Sequence, residues 1–255
     1  MTTIVRYILA DLLRTRFALA YTVFLAIVTM ALFQLDNDPS RVTLSILNIV
    51  LMVVPLFSIV FATIHYYNSY EFMTLLLSQP VKRSTLLLSE WASVAGTMAG
   101  SLVAGVGIPS LIYGALTQVL PLLLAGVAMT CCFVSLAFLA SVMTQDKARA
   151  IGISLLFWIY FSMIYDGLLL LVVYSFSDYP IEKITLALIA LNPIDLVRIS
   201  ILMEMDVSAL MGYTGAFYRS FFGGTTGMLF CIVMMMIWIL FPLWISRRIF
   251  MNKDL

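Results

Sequence analysis

Charge is scarce in this sequence. Only 11% of its 255 residues are Asp, Glu, Lys or Arg, against about 25% in a soluble domain. With 63% of its residues hydrophobic, the chain has too little polar surface to cover itself in water, and its natural solvent is lipid. A net charge of +1 with no dominant basic face argues against a nucleic-acid partner. Histidine occurs once, as His65 at the end of an apolar run, where a lone imidazole reads as a polar anchor rather than a ligand. The three cysteines, Cys131, Cys132 and Cys231, lie in apolar runs without C-x-x-C or His-rich spacing. They suggest neither a zinc site nor a disulfide framework, and read as small buried apolar residues.

Signatures of catalysis are also missing. No G-x-x-x-x-G-K-[ST] phosphate loop occurs, so the chain is not expected to hydrolyse ATP itself. Neither G-x-S-x-G nor H-E-x-x-H occurs. An intramembrane aspartyl protease needs two carboxylates to share the acid and base work, and the apolar spans contain one, Asp166. A membrane-embedded enzyme or lipid-modifying protein needs converging reactive groups, whereas Tyr, Ser and His65 are scattered. The first sixteen residues carry Arg6, Asp11, Arg14 and Arg16 and no apolar core, which does not fit a cleavable signal peptide.

What is present is a set of long apolar runs. A bilayer core needs about 20 apolar residues per helix, and six stretches qualify: Phe17–Gln34, Val42–Tyr66, Trp91–Tyr113, Leu122–Met143, Ile151–Tyr174 and Thr226–Ile245. The expected fold is therefore an all-α membrane protein with one six-span domain over residues 1–255. With a cytoplasmic N-terminus, ten Lys and Arg fall inside and four outside, as the positive-inside rule requires. Both termini are then cytoplasmic. Ahead of the first span, Ile4, Val5, Ile8, Leu9, Leu12 and Leu13 share one helical face of residues 2–16 and Arg6, Asp11 and Arg14 the other. This is the pattern of a helix lying in the membrane interface. Ala92, Gly96, Gly100 and Ala104 recur every four residues in span three and suggest a packing seam, within the bundle or between two copies. Pro55, Pro109 and Pro242 lie inside spans two, three and six and are expected to kink them.

Three places carry candidate function. The first is residues 70–84, a polar interruption between spans two and three that is expected to face the cytoplasm. A helix held at the membrane surface by two spans can pass a push from a soluble motor into the bilayer. The second is Asp166 after Tyr165. A carboxylate at this depth costs about 2.5–3.5 kcal/mol on insertion scales, so it needs a partner or water. Tyr160, Ser162 and Tyr165 are local candidates; the Asp would be a structural pin or line a central path. The third is the outer segment 175–225, with short helices expected at Ile181–Leu191 and Asp195–Met205, broken at Asn192-Pro193. Asn192 suits an N-cap with Pro193 at the first helical position. Ser220–Gly227 reads as the turn into span six. Among sixteen methionines, Met203 and Met205 in the outer segment are candidate soft contacts for Cu(I).

This layout resembles the ABC-2 class of transporter permeases. In that family the element between spans two and three reads as Glu, a leucine-rich helix, Pro and a basic residue. Glu71, Leu75, Leu76, Leu77, Pro80 and Arg83 match, with Tyr70 and Phe72 alongside. A Lys often precedes span three in the family; this chain has Glu90. A narrower resemblance is to the NosY-type permeases of the transporter that matures nitrous oxide reductase. It rests on Tyr165-Asp166 and on Asn192-Pro193-x-Asp195-x-x-Arg198. The resemblance implies a homodimer in the bacterial inner membrane, bound to two ABC ATPase subunits that hold ATP and Mg. It also implies Cu(I) as the handled species, and a periplasmic copper-delivery protein of the NosD type docking near Asn192, Pro193, Asp195 and Arg198. The chain would be a permease for a solute, or a mechanical transmitter to an outer partner with no solute crossing. Export of a lipid, polysaccharide or drug is the alternative that the broad family permits.

Overall fold

The computed structural model describes residues 15–36, 38–77, 82–176, 182–205 and 225–252, together with Leu12. Most of the expected interfacial helix over 2–16, residues 78–81 of the coupling element 70–84, and residues 177–181 and 206–224 of the outer segment lie outside these residues.

Every regular element among the described residues is helical. In chain order these are α1 (Arg16–Leu35), α2 (Pro39–Asn68), α3 (Tyr70–Leu77) and α4 (Arg83–Ile112), then α5 (Leu116–Met143) and α6 (Lys147–Ser175). The short α7 (Glu182–Ala190) and α8 (Pro193–Glu204) precede the last helix, α9 (Thr225–Asn252). Six of these, α1, α2, α4, α5, α6 and α9, are long and apolar enough to cross a bilayer. Side-chain caps set the start of α2 and α6. Asp38 accepts a hydrogen bond from the Ser40 amide at 3.0 Å and starts α2 at Pro39. Asp146 accepts from the Ala148 amide at 3.0 Å and starts α6. Gly114, at φ 70°, ends α4, and the Ala115 amide returns to the Ser110 carbonyl at 2.9 Å.

The bundle forms around α5, which packs against α2, α4, α6, α8 and α9. Its buried face supplies Met129, Phe133, Val134 and Phe138 to a core that also holds Tyr21, Val54, Ile59, Leu86, Val94 and Met98. Lipid offers no hydrophobic drive between helices, so close packing and polar pairing hold such a bundle. Several buried hydroxyls are satisfied within their own helices: Thr97 donates to Ser93 O, Thr130 to Gly126 O and Ser141 to Ala137 O. By contrast α6 is buried little, and Leu156, Met163, Leu170 and Leu171 face outward.

The small-residue stripe of span three is not the seam inside this chain. Gly96 and Gly100 are exposed, and a Cβ at Gly100 would meet nothing within 4 Å. The close approach is at Gly105, where a Cβ would sit 2.8 Å from Leu25 Cβ and 2.9 Å from the Thr22 carbonyl oxygen. Gly105 lies in a wider π-turn, Val103–Gly107, that brings α4 against α1 just before Pro109. Gly105→Ala is therefore expected to cost about 1–3 kcal/mol through overpacking. Gly100→Ala should stay within about 0.5 kcal/mol of wild type. Thermal unfolding of the purified chain separates the two, and equal melting would contradict the assignment.

Candidate coupling site

Helix α3 is an eight-residue amphipathic element set between α2 and α4. A single residue, Ser69, breaks it from α2. The Ser69 amide donates to the His65 carbonyl at 2.9 Å, and its carbonyl accepts from the Met73 amide at 2.8 Å, so the chain turns without losing backbone bonds. One face of α3 is anchored: Met73 is 1% exposed, and Tyr70 and Leu76 pack against the main core. The other face is turned out, with Leu75 69% and Phe72 41% exposed and Glu71 open beside them. Glu71 stands in the first turn, where a carboxylate suits the positive end of the helix dipole. Arg83 begins α4 and is half-buried. The side chain of Leu77 and all of Pro80 fall outside the described residues.

Polar ties bind this end of the bundle. His65 Nε2 lies 2.9 Å from Glu90 Oε2, joining α2 to α4. The Tyr67 hydroxyl meets Thr144 Oγ1 at 2.8 Å. Lys147 Nζ donates to Asn68 Oδ1 at 2.9 Å, and the Thr63 and Ser154 hydroxyls meet at 2.8 Å, both joining α2 to α6. His65 is thus a polar anchor, but one with an acidic partner. Read singly, a lone His and a Glu at the edge of an apolar run gave no sign of each other. Their signal was position, one at each flank of the polar interruption.

At the other end of α6, Asp166 finds its partner on a different helix. Arg198 of α8 places its guanidinium 3.0 Å from Asp166 Oδ2 and 2.8 Å from Asp195 Oδ1. The local candidates for Asp166 are otherwise engaged. Tyr165 donates to the Leu188 carbonyl at 2.6 Å, Ser162 to the Trp158 carbonyl at 2.6 Å, and Tyr160 packs edge-on against Phe161 and Tyr165. A buried carboxylate is better matched by a cation than by a hydroxyl. Asp166 is a pin between α6 and α8, while Arg198 also borders a cavity of about 210 Å³ lined by Asn48, Met52, Ser162 and Met163. The pin is preceded by a second π-turn, Tyr160–Ile164.

Asn192 completes the latch. Its Oδ1 accepts from the Ile194 amide at 3.0 Å and caps α8, with Pro193 at the first position. Its Nδ2 donates to Asp195 Oδ2 at 2.8 Å and to the Phe161 carbonyl at 3.0 Å. Asn192 is 0% and Asp195 4% exposed, and Pro193 is buried too. These three therefore do not offer their side chains to an outer partner, as the sequence suggested; their polar atoms are spent on α6 and on the start of α8. Burial raises the Asp195 pKa, the Arg198 guanidinium opposes this, and the facing Asp166 carboxylate raises it further. Met205 is half-buried against the core, and the side chain of Met203 falls outside the described residues. Among the described residues no three His, Cys, Asp or Glu side chains gather as a metal cage.

The sequence matches the ABC-2 family transporter protein domain over residues 9–255. The chain belongs to the ABC-2 family of transporters. It is thus a multi-pass membrane permease subunit of an ABC transporter, a class of transport subunit that works with a separate ABC ATPase. Among curated relatives, the probable ABC transporter permease protein NosY of Pseudomonas aeruginosa is 27% identical over 232 residues. That alignment covers 82% of this ABC-2 permease and 84% of the relative.

Proposed function

We propose that this ABC-2 permease takes up the movement of a cytoplasmic ATPase through α3 and delivers it to the outer helices α7 and α8. The observation that carries the reading is the division of α3 into an anchored face, Tyr70, Met73 and Leu76, and an open face, Glu71, Phe72 and Leu75. Exposed apolar side chains at the rim of a membrane bundle suit a protein groove. Leu77, Pro80 and Arg83 belong to the same coupling element in this reading. In this arrangement both termini and α3 face the cytoplasm, and two copies of the chain bind two ATPases, which hold ATP and Mg.

Movement of α3 reaches α6 through the ties from Thr63 and Asn68, and the end of α5 through Tyr67. It reaches α8 through Asp166 and Arg198. Such transmission requires two arrangements whose contacts with the ATPase differ. The likeness to NosY supports a place in maturing the copper site of nitrous oxide reductase, with a NosD-type periplasmic protein as outer partner. Asn192, Pro193 and Asp195 then act by shaping the outer turn, and Arg198 is half-open at its edge. Met203 and Met205, at the C-terminal end of α8, are the residues this reading assigns to Cu(I).

A second reading, export of an apolar molecule such as a lipid or drug, is favoured by one feature. A cleft of about 710 Å³ lies between α5, α8 and α9, lined by Leu120, Leu124, Val197, Met228, Cys231 and Met235. Vesicles containing the complex, given ATP and radiolabelled Cu(I), distinguish these readings. ATP-driven accumulation is expected from a copper pump. ATP turnover with no accumulation, but altered binding of the outer protein, is expected from a transmitter. Neither response, with ATP-dependent movement of a labelled lipid instead, would favour export.

A further inference from the structure

His65 and Glu90 close the loop that holds α3. They stand 25 residues apart in sequence, one in the last turn of α2 and one early in α4, with Nε2 2.9 Å from Oε2. A carboxylate only accepts, so the ring N–H donates in a charge-assisted bond. The Ser69 hydroxyl lies 3.2 Å from the same ring nitrogen. The His65 carbonyl takes the Ser69 amide, and the Ser69 carbonyl takes the Met73 amide. One imidazole thus connects Glu90 of α4 to the turn that launches α3. The ring is also stacked on Phe61, with centroids 6.2 Å apart.

The pair is an expensive way to hold two helices together. Glu90 is 1% exposed, and its second oxygen, Oε1, has no protein partner. A buried carboxylate left half-satisfied carries a desolvation penalty, and a packed apolar pair would join α2 and α4 at least as firmly. What a hydrogen-bonded pair adds is a single register, since leucines can slide past one another while a directional bond to a carboxylate cannot. The neighbours of Glu90 in α4, Leu86, Leu87 and Val94, are buried apolar residues of the slippery kind.

We infer that His65 and Glu90 are positioning residues for coupling. They fix the pitch of α3 against α2 and α4, so that a push on α3 moves both spans as one body. This rests on the reading of α3 as the ATPase-docking helix.

The test uses the full chain purified with its ATPase in lipid nanodiscs, with Mg-ATP as the probe. Glu90→Gln keeps shape and removes charge. ATPase retention and KM for ATP are expected to match wild type, while the stimulation of kcat by the permease falls at least fivefold. His65→Lys, which returns an N–H donor to Glu90, should keep more than half of that stimulation. Wild-type stimulation in Glu90→Gln would overturn the inference and leave the docking reading intact. If Glu90→Gln is not recovered folded, Glu90→Asp, one methylene shorter, is read by the same outcomes. A wild-type chain that retains no ATPase would remove the docking reading and this inference with it.

Discussion

Changing Phe72 and Leu75 together to alanine should weaken binding of the ATPase about a hundredfold and leave the permease folded. Leu75 is largely open and Phe72 partly so, and their loss disturbs the chain's own packing far less than loss of a fully buried side chain. Full burial of one large apolar side chain in a partner groove is worth about 1.5–3 kcal/mol. Two anchors, buried in part, supply about 3 kcal/mol, which is roughly a hundredfold in affinity. Changing Glu71 to alanine should have a smaller effect, below about tenfold, because a rim charge in water contributes about 1 kcal/mol or less. The inward face behaves differently. Met73→Ala removes a side chain that is 1% exposed, and is expected to lower the melting temperature as well. Titration of detergent-purified permease with its ATPase checks these ranks. Affinity that survives Phe72→Ala with Leu75→Ala would place the docking surface elsewhere.

The second large effect is expected at Arg198. Replacing it by methionine keeps the bulk of the stem and leaves Asp166 and Asp195 facing each other without a counter-charge. Removing one partner of a buried pair costs about 3–5 kcal/mol. Arg198 and Asp166 are each about a third exposed, at 34% and 29%, while Asp195 is 6% exposed at its side chain. Solvent screening therefore reduces the expected loss to about 2–3 kcal/mol. A triple variant, Arg198→Met with Asp166→Asn and Asp195→Asn, removes the charges as a set and should recover most of this loss. The readouts are thermal unfolding and amide exchange across Pro193–Glu204. An Arg198→Met chain that melts and exchanges like wild type would show that the latch holds nothing.

These sites differ in how far the sequence disclosed them. The spans were legible because lipid imposes a length of apolar residues that few other folds need. Asp166 was legible as a group in need of a partner, for the same reason. Its partner was not, because a sequence offers only neighbours on one helix, and Arg198 arrives from α8 by way of the turn at Asn192. That turn was read correctly as a cap, yet its burial could not be read. Asn192 and Asp195 look like surface polar residues until α6 is laid against them. The stripe at Gly96 and Gly100 told which residues could allow close packing, but not which face of α4 turns inward; Gly105, off the stripe, takes that role. In α3 the leucine run suggested a docking element, the reading proposed above. Only packing separated Leu76, held against the core, from Leu75, turned out.

The most direct measurement is site-specific photo-crosslinking from position 75 in the intact complex, with position 76 as the inward-facing control. A crosslinker at 75 should capture the ATPase, with a yield that changes when ATP is added, while one at 76 captures mainly this chain. Capture of no ATPase at 75, or labelling of that position by a membrane-impermeant reagent from the periplasmic side, would contradict a cytoplasmic lever driven by a separate motor.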